Sequence, residues 1–227
     1  MSFNSYIAGL NLTESQVLNG LGWASTVGMF YLSWPGSDFK QKVEREAGKA
    51  VHMPPGKSAQ IVSMTHGMAL FLPAGAFLFG LPLNRFVMPG WLLKTALPPV
   101  RDDLVYHGLR LGGCVGALGV GATMVWTFKH LGSQWNYIGV RERPKLVKTG
   151  PYAIVRHPMY TCAMLNDALF AAMFWNWMPL VGSAIMAAMF AIKMPMEEKV
   201  ILDNKEVGEA YRRYKKEVPW RVIPYVW

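Results

Sequence analysis

Charge is scarce in this chain: 16% of its 227 residues are charged and 52% are hydrophobic, a balance that excludes an ordinary soluble domain of this size and points to a membrane protein. Cysteine is nearly absent as well. The two present, Cys114 and Cys162, both fall inside apolar runs, which argues against a stapling disulfide framework and leaves the redox compartment unread. No Lys or Arg precedes the first apolar run and no small-residue cleavage pattern follows it, so a removable signal peptide is not expected. Internal repeats and low-complexity tracts are also lacking, and no metal site is expected.

What is there is apolar sequence in membrane-sized lengths. Uncharged runs near the ~20 residues that cross hydrocarbon cover 17–34, 61–83 and 104–128, and a longer block covers 160–193. The last block is too long for one helix and carries "WNWMP" near its middle, where Asn176 and Pro179 supply turn chemistry, so it reads as a hairpin of two short helices. The expectation is an all-α integral membrane protein with about five transmembrane helices, divided into residues 1–130 (about three spans) and residues 131–227 (the hairpin and a tail).

The net charge of +9 does not call for nucleic acid. Basic residues cluster between spans one and two (Lys40 to Lys57), between three and four (Lys129 to Arg156) and after span five (Lys193 to Arg221), whereas the other side holds only Arg85, Lys94 and Arg101. That asymmetry predicts a multi-pass protein with its C-terminus in the cytoplasm, in the endoplasmic reticulum if the cell is eukaryotic.

Several features read first as structure. The stretch 35–57, with both charge signs and "HMPPG", reads as a solvated connector. In "GGCVGALGVG", Gly112 and Gly116 form a GxxxG pair with Gly119 one turn on, predicting close helix packing. Arg110 and Asp167 are costly at membrane depth unless paired, which suggests either a salt bridge between helices three and four or a polar patch beside a buried substrate; His66 reads as a satisfied interhelical donor. In the charged C-terminal stretch, Val200, Val207, Tyr211 and Tyr214 recur at helical spacing, predicting an amphipathic cytoplasmic tail helix that Pro219 ends, after which "VIPYVW" docks back.

The chemistry gathers around the hairpin. The stretch "GPYAIVRHPMY" (Gly150 to Tyr160) enters it and the Glu197–Glu198 pair leaves it, both at the predicted cytoplasmic end, beside the Tyr-rich tail. A short hairpin brings its ends together, predicting one pocket with a polar mouth and an apolar interior. A carboxylate pair accepts hydrogen bonds from an amino group or ribose hydroxyls, and tyrosine faces attract a sulfonium, so the lining suits S-adenosyl-L-methionine. Methyl transfer from such a donor needs alignment and exclusion of water; a carboxylate acceptor requires no general base, whereas an amine must first lose a proton.

The ordered set "GPYAIVRHPMY", apolar hairpin, "EE", then "GEAYRRYKKEVPWRVIP" resembles the C-terminal half of the isoprenylcysteine carboxyl methyltransferase and phospholipid methyltransferase superfamily, from about Leu131 onward. The resemblance implies a membrane methyltransferase acting on a lipid or lipidated acceptor, with S-adenosyl-L-methionine held by Pro144, Lys145, Leu146, Val147, Tyr152, His157, Pro158, Met159, Tyr160 and Glu197, and with Glu198 completing the acidic pair. Lys193 stands where the prenylcysteine enzymes carry an arginine for the acceptor carboxylate; lysine keeps the charge and loses the bidentate fork. Arg156 is the candidate for orienting the acceptor or neutralising developing charge. Three departures stand out: Cys162 replaces a usual glycine, the interval from Glu198 to Gly208 is about two residues longer than the family pattern, and Pro195 directly precedes the residue before the pair. Two rival readings are an NADPH-dependent sterol-reductase-like enzyme, which shares an arginine-histidine-x-x-tyrosine element, and a non-catalytic subunit of a larger membrane assembly.

Overall fold

The computed structural model describes residues 5–7, 10–52, 56–136 and 138–227. Its long elements are helices: α1 (Glu14–Ser33), α2 (Phe39–Ala47), α3 (Ser58–Leu83), α4 (Gly90–Leu93), α5 (Asp103–Leu131), α6 (Pro158–Phe174), α7 (Met178–Leu202) and α8 (Gly208–Glu217). Two small antiparallel pairs complete it, β1 (Ser5–Ile7) with β2 (Leu10–Leu12) and β3 (Ala50–His52) with β4 (Val140–Arg141).

Among the described residues, three helical stretches are long and apolar enough to cross a membrane: Ser58–Leu83, Asp103–Gln134 and Met178–Leu202. The first and fourth expected spans fall on α1 and α6. At 17 residues α6 is about 26 Å long, short of the ~30 Å hydrocarbon core. The turn chemistry at the hairpin works as its residues suggest. Asn176 Oδ1 accepts the Met178 amide and its Nδ2 donates to the Leu92 carbonyl. Pro179 lies in the first turn of α7, where its missing N–H costs nothing. The second hairpin helix, however, does not stop with the apolar run at Lys193. It continues to Leu202 through Pro195, because the segment beyond is helix-forming and the proline forfeits a single backbone bond.

The chain divides into two compact units. The first comprises Met1–Leu32, Met68–Ala122 and Leu165–Ala184. Its core is built on Phe77 and Phe174, stacked 4.2 Å apart, with Leu81, Leu92, Phe170 and Met173 around them. The glycine edge of α5 includes Gly116 as expected, with Gly113 in place of Gly112. A Cβ at Gly113 would meet the Leu169 carbonyl and the Met173 amide, and one at Gly116 would meet the Leu169 side chain, whereas Gly112 and Gly119 have nothing within 4 Å. The Arg110–Asp167 bridge does not form. Arg110 donates instead to Asn19 Oδ1 at 2.7 Å, the Met173 carbonyl at 2.8 Å and the Tyr106 hydroxyl at 3.1 Å. Asp167 is fully buried and neither oxygen has a hydrogen-bond partner among the described residues. It faces Gly182 near the Ala69 carbonyl, which lacks its helical donor because the residue one turn on is Pro73.

The second unit comprises Ser33–Gly67, Thr123–Met164 and Ile185–Trp227 and contains the candidate site. Here the expected solvated connector is corrected: residues 39–52 form α2 and β3, and Val43 and Ala47 are buried. The reason is aromatic and cationic. Phe39 packs edge-on against Phe128 and Trp135, and Arg141 and Arg143 donate to the carbonyls of Gly48, Arg45 and Glu46. Of "HMPPG", Met53–Pro55 lie outside the described residues.

Candidate functional site

The stretch Gly150 to Tyr160 is a tightly specified turn. Gly150 takes a left-handed φ of 61°, and a Cβ there would run into the His130 ring, so glycine is required on both counts. Pro151 then opens a 3-10 turn that buries Tyr152. Pro158 opens α6, where a proline's fixed φ suits the first helical position. Between the prolines, the backbone amides of Arg156 and His157 donate to the carbonyls of Trp220 and Arg221 at 2.9 and 2.8 Å. The tail therefore docks back on this turn. Thr161 Oγ1 adds a bond to the Val222 carbonyl. From α8, the Tyr214 hydroxyl donates to the Tyr152 carbonyl at 2.6 Å. Burial pushes the phenols of Tyr152, Tyr211 and Tyr214 above their ordinary titration range, so they remain donors.

The two consecutive glutamates of α7 do different work, since neighbours on a helix point about 100° apart. Glu198 is an electrostatic hub with a side chain 3% exposed. It accepts from Arg156 Nε and Nη2 at 3.1 and 3.0 Å, Arg221 Nε at 3.1 Å and Lys215 Nζ at 3.0 Å, and lies 3.3 Å from His157 Nε2. The remaining Arg156 donors go to the carbonyls of Val218 and Pro219. Glu197 accepts the Tyr160 hydroxyl at 2.5 Å and lies 3.4 Å from His157 Nδ1 and 3.8 Å from Lys193 Nζ. Burial works against a proton on His157, but its bonds to Glu197 and Glu198 outweigh that and raise its pKa above the ordinary value.

Two adjoining cavities share Leu131, Gln134, Gly139, Tyr152 and Ile201 in their walls. The larger, about 280 Å³, is lined by His157, Pro158, Met159, Tyr160, Lys193 and Glu197. The smaller, about 130 Å³, is lined by Pro144, Lys145, Leu146, Val147 and Arg156, with Tyr211 and Tyr214. The sequence-derived residues thus converge, with one exception: Glu198 lines neither cavity and faces the basic side chains of the turn and tail. Cys162 is buried and lines neither. The Tyr160 ring is stacked by Phe190 at 4.1 Å and parallel to His157 at 5.4 Å, with Lys193 Nζ 5.2 Å from its centroid, so its faces are largely taken by protein groups.

The role of one lining residue differs from its sequence reading. His66 of α3 lies on the wall of the larger cavity, its ring 5.4 Å from Phe190 and 6.3 Å from Tyr160. Its Nδ1 is buried and makes no interhelical hydrogen bond among the described residues; the ring's backbone partner is Val62, one turn back on α3, so it is not the interhelical donor that the sequence suggests. A polar residue in an apolar run is the signal that singles it out.

No curated protein matches the chain. Residues 115–203, which hold the turn, the hairpin and both glutamates, match the isoprenylcysteine carboxyl methyltransferase (ICMT) family.

Proposed function

We propose that this chain is an integral membrane methyltransferase that uses S-adenosyl-L-methionine to methylate a lipid or lipidated, prenylcysteine-like acceptor. The observation that carries the reading is the convergence of His157, Tyr160 and Glu197 on one cavity wall, with the Pro144–Val147 segment lining the cavity next to it. The residues present suit the group. The Glu197 carboxylate offers negative charge to a sulfonium or amino group, and the two cavities flanking Tyr152 suit a ligand with a nucleoside end and an amino-acid end. In this reading Pro144, Lys145, Leu146 and Val147 hold the nucleoside end, and Tyr152, His157, Pro158, Met159, Tyr160 and Glu197 hold the other.

When bound, S-adenosyl-L-methionine supplies a methyl group on a positively charged sulfur, which the acceptor takes by in-line displacement, the sulfur keeping the electron pair of the broken bond. The protein's share is alignment and exclusion of water. His157 and Tyr160 fix the rotamer of Glu197 from two directions, so its charge is preorganised rather than recruited. Arg156 acts at one remove, holding the turn to the tail through Glu198 and two carbonyls, and Glu198 supports the cofactor residues through His157. Lys193 faces the acceptor. Five crossings, with α1 and α6 joining the three apolar helices and the C-terminus in the cytoplasm, would let cofactor enter from the cytosol and acceptor from the bilayer.

The family match favours this reading over a reductase. Calorimetry on detergent-purified protein tests it with S-adenosylhomocysteine and, separately, NADP. Binding of the first that disappears in Glu197→Ala and His157→Ala is the expected result. Binding of NADP alone would identify a reductase, and binding of neither a non-catalytic subunit.

A further inference from the structure

Residues 218–227 carry a single charge, Arg221, and the fold turns it inward, with Nε 3.1 Å from Glu198. Val222 beside it is fully buried, while Ile223, Tyr225 and Val226 face outward, exposed by 39%, 86% and 75%. Ile154, on the turn to which this tail is tied, is 54% exposed. The helix just before shows the opposite pattern: α8 buries Tyr211 and Tyr214 and presents Glu209, Arg212, Arg213 and Lys216 outward, as a helix in water does. Charge inside and large apolar groups outside is the arrangement of a surface that meets something other than water.

Three observations point to lipid as that medium. The tail's backbone satisfies itself: the amides of Arg221, Val222 and Ile223 all donate to the Trp227 carbonyl, at 2.9, 2.8 and 3.0 Å, and those of Val226 and Trp227 donate to the Ile223 carbonyl, at 3.1 and 2.9 Å. Irregular backbone enters a poorly hydrating medium only on that condition. The aromatic groups are of the interfacial kind. The Tyr225 ring, on backbone with a left-handed φ of 64°, stands 5.2 Å from the Trp220 ring, and Tyr and Trp concentrate where hydrocarbon meets water. The patch is also continuous with a membrane helix: the Trp220 and Arg221 carbonyls accept the amides of Arg156 and His157, and the Val222 carbonyl accepts Thr161 Oγ1 in the first turn of α6. The tail therefore lies at the depth where α6 begins. We propose that Ile223, Tyr225 and Val226, with Ile154, form an interfacial anchor that immerses in the bilayer face where α6 begins and so holds the tail on the turn that carries His157. The anchor rests on α6 as a membrane-crossing helix and is independent of cofactor and acceptor.

Site-directed spin labelling in phosphatidylcholine nanodiscs tests the anchor. Cys114 and Cys162 are buried, so the label goes to the introduced thiol in Tyr225→Cys, Val226→Cys and, as the aqueous control on α8, Arg213→Cys. Collision with oxygen, which concentrates in lipid, is compared with collision with a water-soluble nickel chelate; the oxygen-to-nickel ratio should be at least about five-fold higher at 225 and 226 than at 213. Ratios at 225 and 226 equal to that at 213 would place the tail in water, and exclusion of both colliders there would place it against a second copy of the chain. Either result overturns the anchor. Hydrogen exchange reads the consequence for the site. In the same discs Tyr225→Asp/Val226→Asp should speed exchange of the Arg156 and His157 amides by about ten-fold and leave the amides of α5 unaffected, whereas Arg213→Asp should change neither. Exchange at Arg156 and His157 that the double variant does not alter overturns the holding role. Neither measurement contains S-adenosylhomocysteine, so failure of the methyltransferase reading leaves both results standing.

Discussion

Replacing Glu198 by alanine should loosen the tail and lower the thermal midpoint by about 10 °C. The carboxylate is 3% exposed and Arg156 is 5% exposed, so this pair is shielded from solvent, whereas Arg221 and Lys215 are each 32% exposed and count for less. Without Glu198, Arg156 retains only the carbonyls of Val218 and Pro219, and several cationic groups face one another with no counter-charge. Removing one partner of a buried ion pair costs about 3–5 kcal/mol. For a chain of this size each kcal/mol moves the midpoint by about 2–4 °C, which gives the value above. Intrinsic fluorescence follows the melt in detergent, since the chain has nine tryptophans. Trypsin provides a second readout, because Lys215 and Arg221 are both tied to Glu198 and should be cut sooner once released. Glu209→Ala is the control: it breaks an exposed pair with Arg212 and should shift the midpoint by no more than about 2 °C. If Glu198→Ala melts with Glu209→Ala and the tail is cut no faster, Glu198 is not the hub described above.

Stability should also depend on the proton of His157. Its pKa is raised above 6.5, so its contribution is complete below that pH and is lost as pH rises through the raised value. Melting midpoints taken from about pH 6 to about pH 9 should fall, and His157→Gln should flatten that part of the profile. Gly113→Ala should destabilise by about 1–3 kcal/mol, because the new methyl meets backbone atoms of Leu169 and Met173 at 2.9 Å. Gly112→Ala, with open space around it, should leave the midpoint unchanged or slightly higher; equal melts for the two would refute the packing assignment. Tyr214→Phe should cost about 1–2 kcal/mol by orphaning the buried Tyr152 carbonyl, and should weaken S-adenosylhomocysteine binding through the displaced Tyr152.

The parts of the site that lie close along the chain were legible from residue order. Two prolines, a glycine and a His-Pro-Met-Tyr sequence specify the turn entering α6, and Asn176 with Pro179 specifies the reversal that returns α7 beside it. Helix phase was harder to read. Glu197 and Glu198 look like one acidic pair in the sequence, but 100° of rotation sends one to the cavity and the other to the tail. The same rotation puts Gly113 rather than Gly112 beside Gly116 at the contact of α5. Partners contributed by the first helices of the chain were not legible. Arg110 meets Asn19 from the start of the chain instead of Asp167, and His66 meets Tyr160 and Phe190, because such partners depend on which helix faces are opposed.

The amides of Arg156 and His157 find their acceptors in residues 220 and 221, more than sixty positions downstream. During translation the turn and both hairpin helices are therefore made before the backbone that locks the histidine exists. The turn stays open until residues 220 and 221 have been made, and the cavity wall that His157 carries is completed only then.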